Sequence, residues 1–122
     1  MIVVGALPFP VLAGLVLTPL MISAGQVLFK LTSARAGAAD LAGLIATILD
    51  PYLLAAFAIY GIGTIVWVYV LKSVPLTVAY PFMAMTFCVV PLLAWGLLGE
   101  ALTARYMLGT ALIVGGLIVI NA

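Results

Sequence analysis

Four long apolar stretches, separated by short polar breaks, make up this chain. The first 29 residues carry no charged side chain, and Lys30 is the first to appear. Further uncharged runs follow Asp50, Lys72 and Arg105. Each is close to the roughly 20 residues an α-helix needs to cross the hydrocarbon core of a bilayer. The pattern predicts spans over 8–31, 51–71, 76–98 and 104–120, in one transmembrane unit covering 1–122. The runs do not alternate apolar with polar, which argues against a membrane barrel and leaves helices to satisfy the backbone in lipid. The expected fold class is an all-α membrane protein with four transmembrane helices.

The only long connection, 32–50, holds Arg35, Asp40 and Asp50. Within it Leu41, Leu44, Ile45, Ile48 and Leu49 recur at helical spacing. This segment, 38–49, reads as a short amphipathic helix lying at the membrane interface between the first and second spans. Pro8 and Pro10 suit the start of span 1, and Pro19 leaves the Leu15 carbonyl without its donor, so a kink is expected there. Asp50 followed by Pro51 is an N-cap with proline at the first helical position. Lys72-Ser73-Val74-Pro75 turns the chain into span 3, where Pro81 and Pro91 free the Thr77 and Phe87 carbonyls. Gly99 to Thr103 forms the last turn, with Thr103 as N-cap of span 4.

Composition sharpens this reading. Hydrophobic residues are 68% of the chain and charged residues 6%, whereas a soluble domain carries about a quarter charged residues. The chain is therefore read as an integral membrane protein. Net charge is +1 without a basic cluster, so no nucleic-acid partner is expected. There is no His and a single cysteine, Cys88, in an apolar run, so neither a metal site nor an intrachain disulfide is expected, and no cofactor. The start of the chain lacks a basic segment, and its apolar run is longer than that of a secretory signal. No nucleophile–base pair or phosphate loop points to an enzyme.

Polar residues inside the spans are few. Ser23, Gln26 (the only Gln) and Lys30 fall on one stripe of span 1, with Pro19 a turn earlier. Polar groups in hydrocarbon are costly, so a stripe of this kind faces a cavity or another helix. These three are the first candidates for substrate binding. Tyr60, Thr64 and Trp67 share a face of span 2, and Tyr80 is expected to bring a phenol into the interior from span 3. Glu100 and Arg105 are candidates for gating or charge pairing at the start of span 4. Span 4 reads as lacking a polar interior residue, so Gly109, Ala111, Gly115 and Gly116 mark it as a packing or dimerisation helix. Simpler readings stay open: Lys30 snorkelling to head groups, Gln26 as interhelical glue, Trp67 as an interfacial aromatic, and Glu100 complementing a helix N-terminus. Four helices enclose little space, so two chains, parallel or inverted, are expected to share one cavity. Lys30, Arg35 and Arg105 lie at one end and Lys72 with the amino terminus at the other, which leaves orientation open.

Ser23-Ala24-Gly25-Gln26 with Lys30, Val74-Pro75-Leu76-Thr77-Val78-Ala79-Tyr80-Pro81, and Gly99-Glu100 followed by Gly109 and Gly115-Gly116 resemble the four-helix members of the drug/metabolite transporter superfamily (EamA-like). The resemblance covers nearly the whole chain, loosely in span 2. It is greatest to the small flippase subunits that move undecaprenyl-phosphate-aminoarabinose across the bacterial inner membrane. It implies a multi-pass inner-membrane protein, a lipid-linked sugar as substrate, membrane lipid as surroundings, and a homodimer or heterodimer with a similar four-helix subunit. Small multidrug resistance exporters share the frame, including Pro75, Ala79, Tyr80 and the end at Asn121. Those exporters depend on a glutamate in helix 1, where this chain has Ile22, and their helix 3 tryptophan is Met83 here. A proton-coupled exporter of cations needs a titratable acid within a span, and this chain has none. The expected function is a flippase working by alternating access. The alternatives are a small cation exporter and a non-transporting membrane subunit, the latter having no use for Lys and Gln inside a span.

Overall fold

The computed structural model describes residues 6–121. Among them the chain forms six helices: α1 (Phe9–Arg35), α2 (Leu41–Ile48), α3 (Pro51–Leu71), α4 (Leu76–Met83), α5 (Thr86–Leu97) and α6 (Ala104–Asn121). Four segments are long and apolar enough to cross a membrane: α1, α3, the α4–α5 pair and α6.

α1 continues beyond the predicted end at residue 31, because nothing in Leu31-Thr32-Ser33-Ala34-Arg35 breaks a helix. Lys30 is therefore inside the helix. Thr32 and Ser33 return their hydroxyls to the Leu28 and Lys30 carbonyls at 2.9 and 2.7 Å, which keeps this last turn polar yet helical. At the far side of the connection Asp50 has two tasks. Its carboxylate accepts from the Tyr52 N–H at 2.8 Å as N-cap. It also takes a two-pronged bond from Arg35, with Nε at 3.0 Å and Nη2 at 2.7 Å. The guanidinium lies 4.3 Å from the centre of the Tyr52 ring. The end of α1 is thus tied to the start of α3. The Arg35 hydrogen bond, aided by the Tyr52 N–H, holds the Asp50 carboxyl below the usual carboxylate range against the opposing effect of burial.

The eight-residue α2 is capped by Asp40, whose carboxylate accepts from the Gly43 N–H at 2.7 Å. Leu41, Leu44, Ile45 and Ile48 are all exposed on it.

The third span is one segment in sequence but two helices in the structure. Between Pro81 and Pro91 the backbone tightens: Ala84, Met85, Phe87 and Cys88 donate to carbonyls three residues back instead of four. Pro81 and Pro91 have already withdrawn two donors from the ladder, and the span divides into two helices between them. Two residues past the end of α5 stands Gly99, whose φ of 68° only glycine adopts freely. That turn lets the Glu100 N–H reach back to the Ala94 carbonyl at 3.1 Å. Thr103 then caps α6 through the Tyr106 N–H at 3.1 Å.

Packing is uneven. α1 makes its main contacts with α3 and then with α5. Gly14 allows a close approach, since a Cβ there would run into the Val70 side chain. Leu15, Val70, Val74 and Ala79 form the buried core, with Leu12, Val66, Trp67 and Phe82 against it. This core lies where α1 begins and α3 passes into α4. In lipid such contacts stabilise through close packing more than through removal of apolar surface from water. α6 has no buried residue.

Candidate functional site

The polar stripe of α1 divides on inspection. Ser23 is fully buried, and its hydroxyl donates to the Pro19 carbonyl at 2.7 Å, so the helix itself uses that group. Gln26, a turn later, reaches outward: its Nε2 donates to the Tyr60 hydroxyl of α3 at 2.6 Å. Tyr60 is held on two further sides. Its ring lies 5.1 Å from that of Phe29 at an interplanar angle of 37°, and it occupies the space that a Cβ on Gly25 would fill. The glycine of the Ser23-Ala24-Gly25-Gln26 motif thus seats the tyrosine that its glutamine contacts. Lys30 is exposed one turn beyond Gln26.

The remaining candidates scatter. Thr64 returns its hydroxyl to the Tyr60 carbonyl at 2.7 Å, and Trp67 packs against the buried core. Tyr80 does not face the interior of the bundle: it is 64% exposed on α4. The α4 face that carries Ala79 is buried, and the adjacent position turns outward. Glu100 and Arg105 form no ion pair with each other. Among the described residues the one ion pair is Arg35–Asp50. A Cβ added at Gly109, Gly115 or Gly116 would meet no atom within 4 Å.

Three clefts meet on one residue that the sequence pattern did not single out, Tyr106 in the first turn of α6. A cleft of about 230 Å³ is lined by Ile22 and Gln26 of α1, Thr86, Phe87, Val90 and Pro91 of α5, and Tyr106. A smaller one of about 160 Å³ is lined by Val90, Pro91, Ala94, Glu100, Ala101, Leu102 and Tyr106. An apolar groove of about 460 Å³ runs between α5 and α6, and its walls include Cys88, Pro91, Leu92, Tyr106, Met107, Thr110, Val114 and Ile118. From Tyr106 to Ile118 this groove follows α6 for roughly 18 Å at 1.5 Å per residue. Pro91 and Tyr106 line all three clefts. Gln26, Glu100 and Tyr106 therefore stand around one junction, near the end of the bundle that carries Lys30, Arg35 and Arg105.

Span 4 is accordingly not a bare packing helix. Tyr106 and Thr110 give it polar groups on the walls of these clefts, and Ala111 and Gly115 belong to the groove as well. The available signal was an aromatic and a hydroxyl at i and i+4, on the same side of the helix.

A bundle of four apolar spans, with a polar junction opening onto an apolar groove, fits a small four-helix transporter in the membrane. Comparison with curated proteins points the same way. Over 61 residues, 50% of this chain and 54% of the relative, it is 38% identical to the probable 4-amino-4-deoxy-L-arabinose-phosphoundecaprenol flippase subunit ArnE of Klebsiella pneumoniae (strain 342). The protein of the same name from Salmonella paratyphi B (strain ATCC BAA-1250 / SPB7) is 36% identical over 62 residues, 51% of this chain and 56% of that protein. The chain thus matches about half the length of these relatives. No family model and no solved structure matches it.

Proposed function

We propose that this chain is a subunit of a flippase that moves a polyprenyl-phosphate-linked amino sugar across the bacterial inner membrane. It would work by alternating exposure of a cavity shared with a second four-helix subunit, identical or similar. The observation that carries this reading is that the cleft at Gln26, Thr86 and Tyr106 shares Pro91 and Tyr106 as walls with the apolar groove between α5 and α6. A lipid-linked sugar phosphate has the matching division: hydroxyls that need hydrogen-bonding partners, an anion that needs a cation, and a long apolar tail. Gln26 and Thr86 suit the hydroxyls. Lys30, on the same stripe as Gln26 and free of any ion pair among the described residues, suits the phosphate through a charge-assisted contact. The α5/α6 groove suits the first part of the tail.

The names of the relatives support the flippase reading over an exporter of cations, and so does the absence of an acid within any span. The test is thermal stabilisation of the purified protein by undecaprenyl phosphate and its glycosylated forms, since a ligand that binds the folded state raises apparent stability. Stabilisation is expected for wild type, weaker for Gln26→Ala and lost for Lys30→Ala. Stabilisation by hydrophobic cations alone, with none by any polyprenyl phosphate, would overturn the proposal.

A further inference from the structure

The chain has three carboxylates besides its terminus, and two are committed. Asp40 caps α2 and Asp50 binds Arg35 while capping α3. Glu100 is exposed and makes no side-chain hydrogen bond or ion pair with any described residue, Arg105 included. It lines the cleft of about 160 Å³ whose other walls are Val90, Pro91, Ala94, Ala101, Leu102 and the Tyr106 ring. That volume is the share of about five water molecules in the liquid, enough for one small polar fragment. Of the other lining side chains only Tyr106 carries a polar group, its hydroxyl. A sugar hydroxyl can donate one hydrogen bond to the Glu100 carboxylate, whereas an ammonium donates the same bond and adds a full opposite charge, which Glu100 alone of the lining residues can meet. An aromatic wall adds the attraction of its ring face for a cation.

We infer that Glu100 is the acceptor for a primary ammonium on the headgroup this protein handles, and so sets its preference for an amino sugar over a neutral one. The inference rests on the flippase reading above. The two smaller clefts share Val90, Pro91 and Tyr106. A sugar ring lying across Pro91 and Tyr106 can present hydroxyls to Gln26 and Thr86 on one side and its ammonium to Glu100 on the other. This assigns the polar end of the ligand in two parts: Gln26 recognises a sugar, and Glu100 recognises that the sugar carries an amine.

The experiment compares two synthetic lipids on the full chain in lipid nanodiscs. One is an undecaprenyl-phosphate-linked 4-amino-4-deoxypentose, and the other is the same lipid with a hydroxyl in place of the amine. Wild type is expected to bind the amine form about tenfold more tightly, the discrimination one charge-assisted contact supplies. Glu100→Gln, close in shape but neutral, is expected to bring the ratio to about one by weakening only the amine lipid. Glu100→Asp, with circular dichroism to check folding, is expected to retain a preference. An unchanged ratio in a folded Glu100→Gln protein that still binds both lipids would overturn this inference and leave the flippase reading standing. Failure of wild type to bind either lipid would overturn both.

Discussion

Replacing Gly25 by alanine tests the seat on which the Gln26–Tyr60 contact is built. The added carbon would stand 2.6 Å from Cδ2 of the Tyr60 ring and closer still to Cε2. Contacts under about 3 Å are not tolerated in a packed interior, so the ring has to move. It cannot move freely, because Phe29 stacks on it and Gln26 bonds its hydroxyl. Overpacking of this kind costs about 1–3 kcal/mol, and loss of an interhelical hydrogen bond in a membrane adds about 0.6 kcal/mol. Alanine's better helix propensity returns up to about 1 kcal/mol. The net expectation is a destabilisation of about 0.6–3.6 kcal/mol. Gly61 supplies the control on α3, since a Cβ there meets nothing within 4 Å. Gly61→Ala is expected to be neutral or to stabilise by up to about 1 kcal/mol. The assay is unfolding of the purified protein in mixed micelles of mild detergent and dodecyl sulfate, followed by helical circular dichroism. Equal midpoints for the two variants would refute the reasoning.

Two further expectations concern groups that the structure commits elsewhere. The Asp50 carboxyl is held below its usual range when folded, so its contribution to stability is present above the unfolded-state value and fades as pH falls through the folded one. Below about pH 4, wild type should lose stability more steeply than Asp50→Asn in a series of melts from pH 6 to pH 3, and parallel curves would count against the Arg35–Asp50 tie. Ser23 spends its hydroxyl on the Pro19 carbonyl, so Ser23→Ala is expected to leave polyprenyl phosphate binding unchanged. A loss comparable to that of Gln26→Ala would return Ser23 to the binding surface.

The spans were legible because their apolar runs are long and their breaks are chemically distinct. Asp50-Pro51 and Gly99 marked helix boundaries through capping and backbone preference, which are local effects. The break between α4 and α5 was less legible: two prolines announce a bend, but the tightened turns at Ala84 to Cys88 lie between the prolines, at residues without a signal of their own. Gln26 and Tyr60 were each visible as polar groups inside a span. Their bond joins residues 34 positions apart, and helical periodicity says nothing about which faces meet. The Arg35–Asp50 pair was hidden for the same reason. Tyr106 and Thr110 are hard to see in the sequence because glycine and alanine dominate α6, whereas in the structure a Cβ on Gly109, Gly115 or Gly116 would meet nothing and Tyr106 lines three clefts. Tyr80, beside a proline, looked like an interior phenol, and it faces outward because Ala79 takes the buried side.

The claim that the α5/α6 groove holds the tail of a polyprenyl phosphate can be tested without altering the protein. Cys88, the only cysteine, is half-buried on the wall of that groove. Its alkylation by N-ethylmaleimide can be followed by intact mass, with and without undecaprenyl phosphate at a concentration that stabilises the fold. An occupied groove excludes the reagent, so the rate should fall several-fold, while a short-chain phosphate lacking the polyprenyl tail should leave it unchanged. An alkylation rate unaffected by bound undecaprenyl phosphate would show that the tail lies elsewhere and would contradict the account.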